Sequence, residues 1–207
     1  KHAGDAIFED VNNDGQLDSK DMKFMGYIRP DKVGGIVNSF KYKGLTVRVV
    51  MDWAMGHVID NGFKGQIMGS SRNNNNAIKD AMTNSWQSAN DGTKYPKYTV
   101  QSDYDYQYRN HMRWDNQIGS SESGSTNNSL YFSKGDYLAF REVSLSYMLP
   151  STWVRKIRLS GVEVFAGAYN IGYIKKYDGM FPEIYTGVDY GVYPRPRQYN
   201  MGVKINF

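Results

Sequence analysis

Gln198-Tyr199-Asn200-Met201-Gly202-Val203-Lys204-Ile205-Asn206-Phe207 closes the sequence, and its alternation sets how the rest is read. Tyr199, Met201, Val203, Ile205 and Phe207 are apolar or aromatic, while Asn200, Gly202, Lys204 and Asn206 between them are polar or small. Successive side chains of a strand point to opposite faces, so the stretch predicts a strand with one greasy and one wet face. A soluble sandwich and a membrane barrel both produce this pattern. The choice between them comes from the remaining sequence.

Working outward, Val162, Val164, Ala166 and Ala168 alternate with Glu163, Phe165, Gly167 and Tyr169. Before them Tyr137, Ala139, Arg141, Val143, Leu145, Tyr147 and Leu149 alternate with Leu138, Phe140, Glu142, Ser144, Ser146 and Met148, and Pro150 ends that strand. Further upstream Ile36, Asn38, Phe40 and Tyr42 share a face, Lys43-Gly44 makes a tight turn, and Leu45, Val47, Val49, Met51 and Trp53 follow, opposite Thr46, Arg48, Val50 and Asp52. Arg48 and Asp52 are awkward in a dry core and easy in a hydrated lumen, which favours a barrel.

From about Gly56 to Gly135 no strand pattern is sustained. Ile78, Ala81, Met82 and Trp86 recur at helical spacing and predict a short helix packing its own loop. Asn73 to Asn76 and Ser120 to Ser129 read as loops. Tyr95-Pro96-Lys97-Tyr98 and Tyr104-Asp105-Tyr106-Gln107-Tyr108 mix aromatic and polar residues; they either pack their loop or help to form a substrate cavity. A second long loop, from about Gly172 to Arg195, carries Tyr-Asp-Gly, Phe-Pro-Glu and Tyr-Pro-Arg. Long connections (1–32, 56–135 and 172–195) alternate with short ones at Lys43-Gly44 and Ser151 to Arg158. That alternation is the outer-membrane rule of short periplasmic turns and long external loops.

The composition agrees with this reading. Of 207 residues 40% are hydrophobic and 14% aromatic, with 17 Tyr, which suits half-wet strands with aromatic girdles and also a carbohydrate-binding sandwich. The net charge of +4 is scattered, without a basic stripe, so no nucleic-acid partner is expected. The absence of cysteine excludes disulfides, zinc-thiolate sites and thiol catalysis. His2, His57 and His111 lie far apart beside no triad partner, and no carboxylate pair is marked by a motif, so an enzyme is not expected. The sequence opens on Lys1 without a Met and is expected to be a piece of a longer protein.

Asp10-Val11-Asn12-Asn13-Asp14-Gly15-Gln16-Leu17-Asp18-Ser19-Lys20-Asp21 fits the calcium-loop template. Asp10, Asn12, Asp14, Asp18 and Asp21 fall at oxygen-ligand positions, Gln16 offers its backbone carbonyl, and Gly15 sits at the sharp turn. A hard cation wants about six to eight oxygens, which is why alternate residues carry them. Asp21 stands where Glu is usual and binds one-sidedly, weakening the site. No flanking helix pair is evident, so a calcium ion here would be structural, with Val11 and Leu17 anchoring the loop. A polar turn without an ion is the alternative.

Several phrases together resemble the SusC/RagA-type TonB-dependent transporters of Bacteroidota outer membranes. They are Phe8 to Asp18, Gly135-Asp136-Tyr137 through Met148-Leu149-Pro150, Ala168-Tyr169-Asn170-Ile171, Tyr177-Asp178-Gly179-Met180-Phe181-Pro182-Glu183, and Tyr193-Pro194-Arg195-Pro196-Arg197-Gln198-Tyr199 running into the last strand. The stretch from Trp86 to Tyr98 is similar to a family loop motif, with Lys97 in place of Arg. Tyr-Leu-Ala-Phe-Arg-Glu (137–142) replaces the usual Tyr-Leu-Arg-Leu-Lys-Asn. The order looks like the family's carboxyl-terminal barrel region and spans nearly the whole sequence, 1–207.

The resemblance implies an all-β fold, a transmembrane antiparallel barrel of about 22 strands of which this is the last five or so. It implies TonB-dependent import of an oligosaccharide or peptide across the outer membrane. It further implies a SusD-like surface lipoprotein as lid, and contact with the TonB system through parts this chain lacks. A scaffold subunit of an envelope complex and a calcium-stabilised soluble sandwich are the competing readings.

Overall fold

The strands expected from alternation are all found in the computed structural model, which describes residues 2–16, 19–64, 79–89, 92–93, 95–98 and 129–207. They are β1 (Lys32–Tyr42), β2 (Leu45–Met55), β5 (Tyr137–Met148), β6 (Gly161–Lys175) and β7 (Gln198–Asn206), with two short additions, β3 (Val58–Asp60) and β4 (Phe132–Lys134). The five long strands have 9 to 15 residues. A tilted membrane strand needs roughly 9–11. No helix among the described residues is long and apolar enough to cross a membrane.

Two units divide the chain. One comprises Arg29–His57, Lys134–Glu183 and Tyr193–Phe207; the other Lys1–Ile28, Val58–Ser133 and Ile184–Val192. The first unit is a five-stranded antiparallel sheet in the order β1-β2-β5-β6-β7. Register lays the side chains in rows across it. Tyr42, Leu45, Tyr147, Val164 and Val203 form one row; Phe40, Val47, Leu145, Ala166 and Met201 form the next. The opposite face carries rows such as Ser39, Arg48, Ser144, Gly167 and Asn200. One face is therefore apolar across all five strands and the other is polar.

The connections at one end of the sheet are short. Lys43 (φ 45°) and Gly44 (φ 86°) both adopt positive φ, the signature of a two-residue turn that matches strand twist. A Cβ on Gly44 would lie 2.7 Å from the Met148 carbonyl oxygen, so backbone and space both demand glycine. Gly44→Ala is expected to cost about 1–2 kcal/mol, read as a lowered denaturant midpoint of the full-length protein. The β5–β6 connection holds a helical turn, Ser151–Val154, and a 3-10 turn, Arg155–Ile157.

Three details differ from the sequence reading. The alternation in β5 is broken: Val50 pairs with Glu142 and Met51 with Phe140, leaving Arg141 as an extra, bulged residue. Tyr137 and Ala139 thus lie on the polar face, not with Val143 and Leu145. A second bulge follows in β6, where Asn170 has φ 51°. β6 also runs on to Lys175, shortening the loop expected from Gly172. Its last residues pair with Leu138 and Tyr137, a tertiary reward invisible to local pattern.

In the other unit, β3 and β4 form a two-stranded sheet that the 56–135 reading lacked; three residues are too few to show a period. The expected short helix is present as Lys79–Thr83, while Ile78 lies outside the described residues. Asp60 N donates to Gly187 O at 2.9 Å and Asp189 N donates to Asp60 O at 2.8 Å, so β3 carries residues 187–189 alongside it.

Candidate functional site

The apolar face is the first functional surface. Leu145 and Val164 are each 46% exposed although they sit on central strands, where no sheet edge accounts for it. The sandwich alternative requires Val203 and Ile205 to lie against a second sheet. They are 56% and 47% exposed, and nothing among the described residues covers them. Aromatics mark both ends of this face, Tyr42 and Tyr147 near the short turns and Trp53 and Tyr199 toward the long loops.

The polar face carries an ionic network at its loop end. The bulge turns Arg141 toward this face, so that it and its neighbour Glu142 both serve it. Arg141 grips Asp52 with two parallel bonds, Nε to Oδ1 at 2.5 Å and Nη2 to Oδ2 at 2.7 Å. Its Nη1 donates to Glu183 Oε1 at 2.5 Å. Tyr173 donates its hydroxyl to the same oxygen at 2.6 Å, and Arg195 reaches Glu183 Oε2 at 3.1 Å. The Glu183 side chain is fully buried. Lower on the same face Arg48 pairs with Glu142 at 3.4 Å.

All four carboxylate oxygens of Asp52 and Glu183 are thus engaged by cations or a hydroxyl. A carboxylate held this way does not move protons; it tethers. What it tethers is the β6–β7 connection. Glu183 pins its outgoing arm, Arg195 its returning arm, and Asn170 at the second bulge donates to Pro196 O at 3.3 Å. Tyr137, Tyr173 and Phe181 stack edge to face at 5.9 Å centroid spacing beside it.

A second knot lies where β2, β5 and β6 end. Asp136 accepts from Gly56 N at 2.8 Å and from Lys176 Nζ at 3.2 Å, while Gly135 N donates to His57 O at 2.8 Å. Burial pushes the Asp136 carboxyl up, but the bonds from Gly56 and Lys176 and the charge of Lys176 bring it below the ordinary value. Gly135 must be glycine, since a Cβ there would lie 2.3 Å from His57 Nε2. His57 is buried, and burial holds its imidazole below the ordinary range, so it is neutral at pH 7. The sequence signals for these knots were the Gly135-Asp136-Tyr137, Phe181-Pro182-Glu183 and Tyr193-Pro194-Arg195 phrases. None of these phrases marks an ion-pair partner by itself, because alternation puts Arg141 with Val143.

In the other unit, the Asp10–Asp21 loop is wound on its own oxygens. Asp10 accepts from Asp14 N at 3.2 Å and Gly15 N at 2.8 Å; Asn12 Oδ1 accepts from Asp14 N at 3.0 Å. Asp14 Oδ1 accepts from Gln16 N at 2.9 Å, and Asp21 Oδ1 from Val11 N at 2.8 Å, which closes the loop. The backbone bond from Gln16, followed by that from Asn12, lowers the Asp14 pKa. Asp18 and Leu17 lie outside the described residues. Among those described, no three acidic or imidazole groups converge as a filled metal site would. The donors that the loop offers are nevertheless all hard oxygens, the chemistry calcium takes.

Of the tyrosine stretch, Tyr95 is buried against Tyr131, with Tyr98 and Leu130 packed on them, and donates to Asp80 Oδ2 at 2.7 Å. Burial pushes the Tyr131 hydroxyl up to about 12. These side chains pack their own unit. Tyr104, Tyr106 and Tyr108 lie outside the described residues, as do Asn73–Asn76 and His111.

No family model matches the chain. Over 99% of its length it is 25% identical to TonB-dependent receptor P3 of Formosa agariphila and 24% identical to TonB-dependent receptor P39 of the same organism, in each case covering 19% of the relative. A 91-residue stretch, 44% of this chain and 9% of the relative, is 26% identical to TonB-dependent receptor SusC of Bacteroides thetaiotaomicron. The chain spans about a fifth of the length of the two receptors it matches throughout. Its fold is similar to that of the RagAB peptide importer in the closed-closed state, with a TM-score of 0.66 at 22% identity, covering 94% of this chain and 20% of that one. The RagAB peptide transporter gives a TM-score of 0.65 at 19% identity, with the same coverage. The resemblance read from the motifs is therefore found again: to TonB-dependent receptors over the whole chain, to SusC over 91 residues and to RagAB in fold.

Proposed function

From a chain similar end to end to TonB-dependent receptors, we infer that this sheet is part of the wall of an outer-membrane barrel that imports a nutrient with energy supplied through TonB. The observation that carries the reading is the apolar face left open on central strands. Exposed apolar surface costs about 25 cal/mol per Å² in water, and a patch contiguous over five strands marks a membrane or partner surface. Hydrocarbon removes that cost, and the polar face then lines a hydrated lumen. The outer strands β1 and β7 each need a further neighbour, because an unpaired edge is not tolerated in lipid. A barrel of about 22 strands supplies both.

In this reading the long connections face outward, where a SusD-like lipoprotein seats on them, and TonB acts from the other side through parts outside this chain. The peptide importer among the structural neighbours favours a peptide over an oligosaccharide as cargo. Deleting the gene in its host is expected to abolish uptake of a labelled peptide mixture, and a protonophore is expected to do the same to the parent strain. Undiminished uptake of both peptides and oligosaccharides after deletion would overturn import. Recovery of the full-length protein in the soluble fraction would overturn the membrane assignment.

We also propose that the Asp10–Asp21 loop holds a structural calcium ion through Asp10, Asn12, Asp14, Asp18 and Asp21 and the Gln16 carbonyl. The external side of an outer membrane supplies the high calcium that a weak site needs. Terbium luminescence sensitised by nearby aromatics is expected to rise with the full-length protein and to be competed away by calcium. Asp10→Asn with Asp14→Asn should lower the affinity at least tenfold. Equal signals from variant and parent would dismiss the site.

A further inference from the structure

The β5–β6 connection carries a surface that the import reading does not use. Residues 151–158, Ser-Thr-Trp-Val-Arg-Lys-Ile-Arg, hold three cations and no acid. Val154 is 2% exposed and pins the turn to the sheet, and Ser160 N donates to Asn206 O at 2.8 Å, tying its exit to the end of β7. The turn is therefore built, not loose. Trp153 and Ile157 on the same connection are nonetheless 62% and 65% exposed. Arg155, Lys156 and Arg158 are exposed around them, and no ion pair to any of the three is formed among the described residues. Arg158 sits at φ 58°, a left-handed cap that ends the 3-10 turn.

The neighbouring turn adds to the same charge. Gly44 packs against the Met148 carbonyl, which places Lys43 beside the start of the connection, and Lys43 Nζ lies 5.3 Å from the Tyr42 ring. The nearest acid along the chain, Glu163, is opposite Lys204 in the β6–β7 register. An exposed Trp and Ile rimmed by unneutralised cations, next to an apolar sheet face, is complementary to a headgroup layer: the ring and alkyl chain enter the interface and the cations meet phosphate.

We propose that this turn is a docking site for anionic phospholipid headgroups in the leaflet facing the short turns, with Arg155, Lys156 and Arg158 on the phosphates and Trp153 and Ile157 inserted between them. The proposal rests on the barrel reading. It fixes how deep the barrel sits and which lipid surrounds this end.

The test uses the full-length protein, stripped of lipid in detergent and titrated with dioleoylphosphatidylglycerol or dioleoylphosphatidylcholine, bound lipid being counted by native mass spectrometry. The parent is expected to retain phosphatidylglycerol over phosphatidylcholine. Arg155→Gln, Lys156→Gln and Arg158→Asn together should cut that preference roughly tenfold or more; Asn is chosen because it tolerates the left-handed cap. Arg155→Lys with Arg158→Lys should keep it. An unchanged preference in the neutral triple variant, or none in the parent, overturns the proposal; the first result would leave the turn to a protein partner. Insertion of the parent into pure phosphatidylcholine vesicles, followed by flotation, separates the two levels. A protein that floats but shows no lipid preference refutes the headgroup site alone, and one that does not float refutes the barrel reading with it.

Discussion

Replacing Arg141 with methionine is expected to destabilise the full-length protein by about 3 kcal/mol and to open residues 176–197 to trypsin. The replacement leaves Glu183, whose side chain is fully buried, and Asp52 without the guanidinium that neutralises both. Breaking one member of a buried ionic cluster costs about 3–5 kcal/mol, because the orphaned charge stays desolvated. The lower figure applies here because the Asp52 side chain is 37% exposed and water shares its charge. Arg195 and Tyr173 still hold Glu183, which also limits the loss. The loop effect follows from geometry: Glu183 fastens the β6–β7 connection to the sheet, and Lys176 and Arg197 offer cleavage sites at its two ends. Asp52→Leu combined with Arg141→Met should recover part of the stability by removing one orphaned charge. A variant as stable and as protease-resistant as the parent would show that the cluster fastens nothing.

The second large effect is expected from two adjacent valines. Val49 lies on the apolar face, in a row with Asn38, Val143, Ala168 and Tyr199; Val50 lies on the polar face, paired with Val37 and Glu142. Both are near the middle of β2. Val49→Arg places a guanidinium at the depth of the bilayer centre, at a cost of about 2–4 kcal/mol. Val50→Arg places the same group in the lumen beside Glu142, at a cost below about 1 kcal/mol. The contrast is read as the fraction of full-length protein that assembles into the outer membrane and keeps a folded, heat-shifted mobility in gels. Equal behaviour of the two variants would mean that lipid does not meet the Val49 face.

The alternation of Tyr199 to Phe207 set the faces of β7, and the same period set β1, β2 and most of β6, because an antiparallel strand with unlike faces writes itself into sequence at period two. The Lys43-Gly44 turn was equally legible, since only a pair at positive φ joins twisted strands in two residues. The motifs from Gly135 to Tyr199 carry the resemblance but do not show what each of them holds in place. Alternation alone puts Arg141 on the wrong face, since a bulge adds one residue without changing the local composition and so shifts the period unseen. The short strands β3 and β4 and the last residues of β6 leave no local pattern, because their stability comes from partners distant in sequence. The sequence alone determined that the strands have one oily and one polar side. Only the tertiary structure decided that the oily sides of five strands join into one uncovered face, and that Asp52, Arg141, Tyr173, Glu183 and Arg195 meet on the other. Asp52 and Arg141, 89 residues apart, pair only when the register and the bulge bring them to one place, and no local pattern encodes that distance.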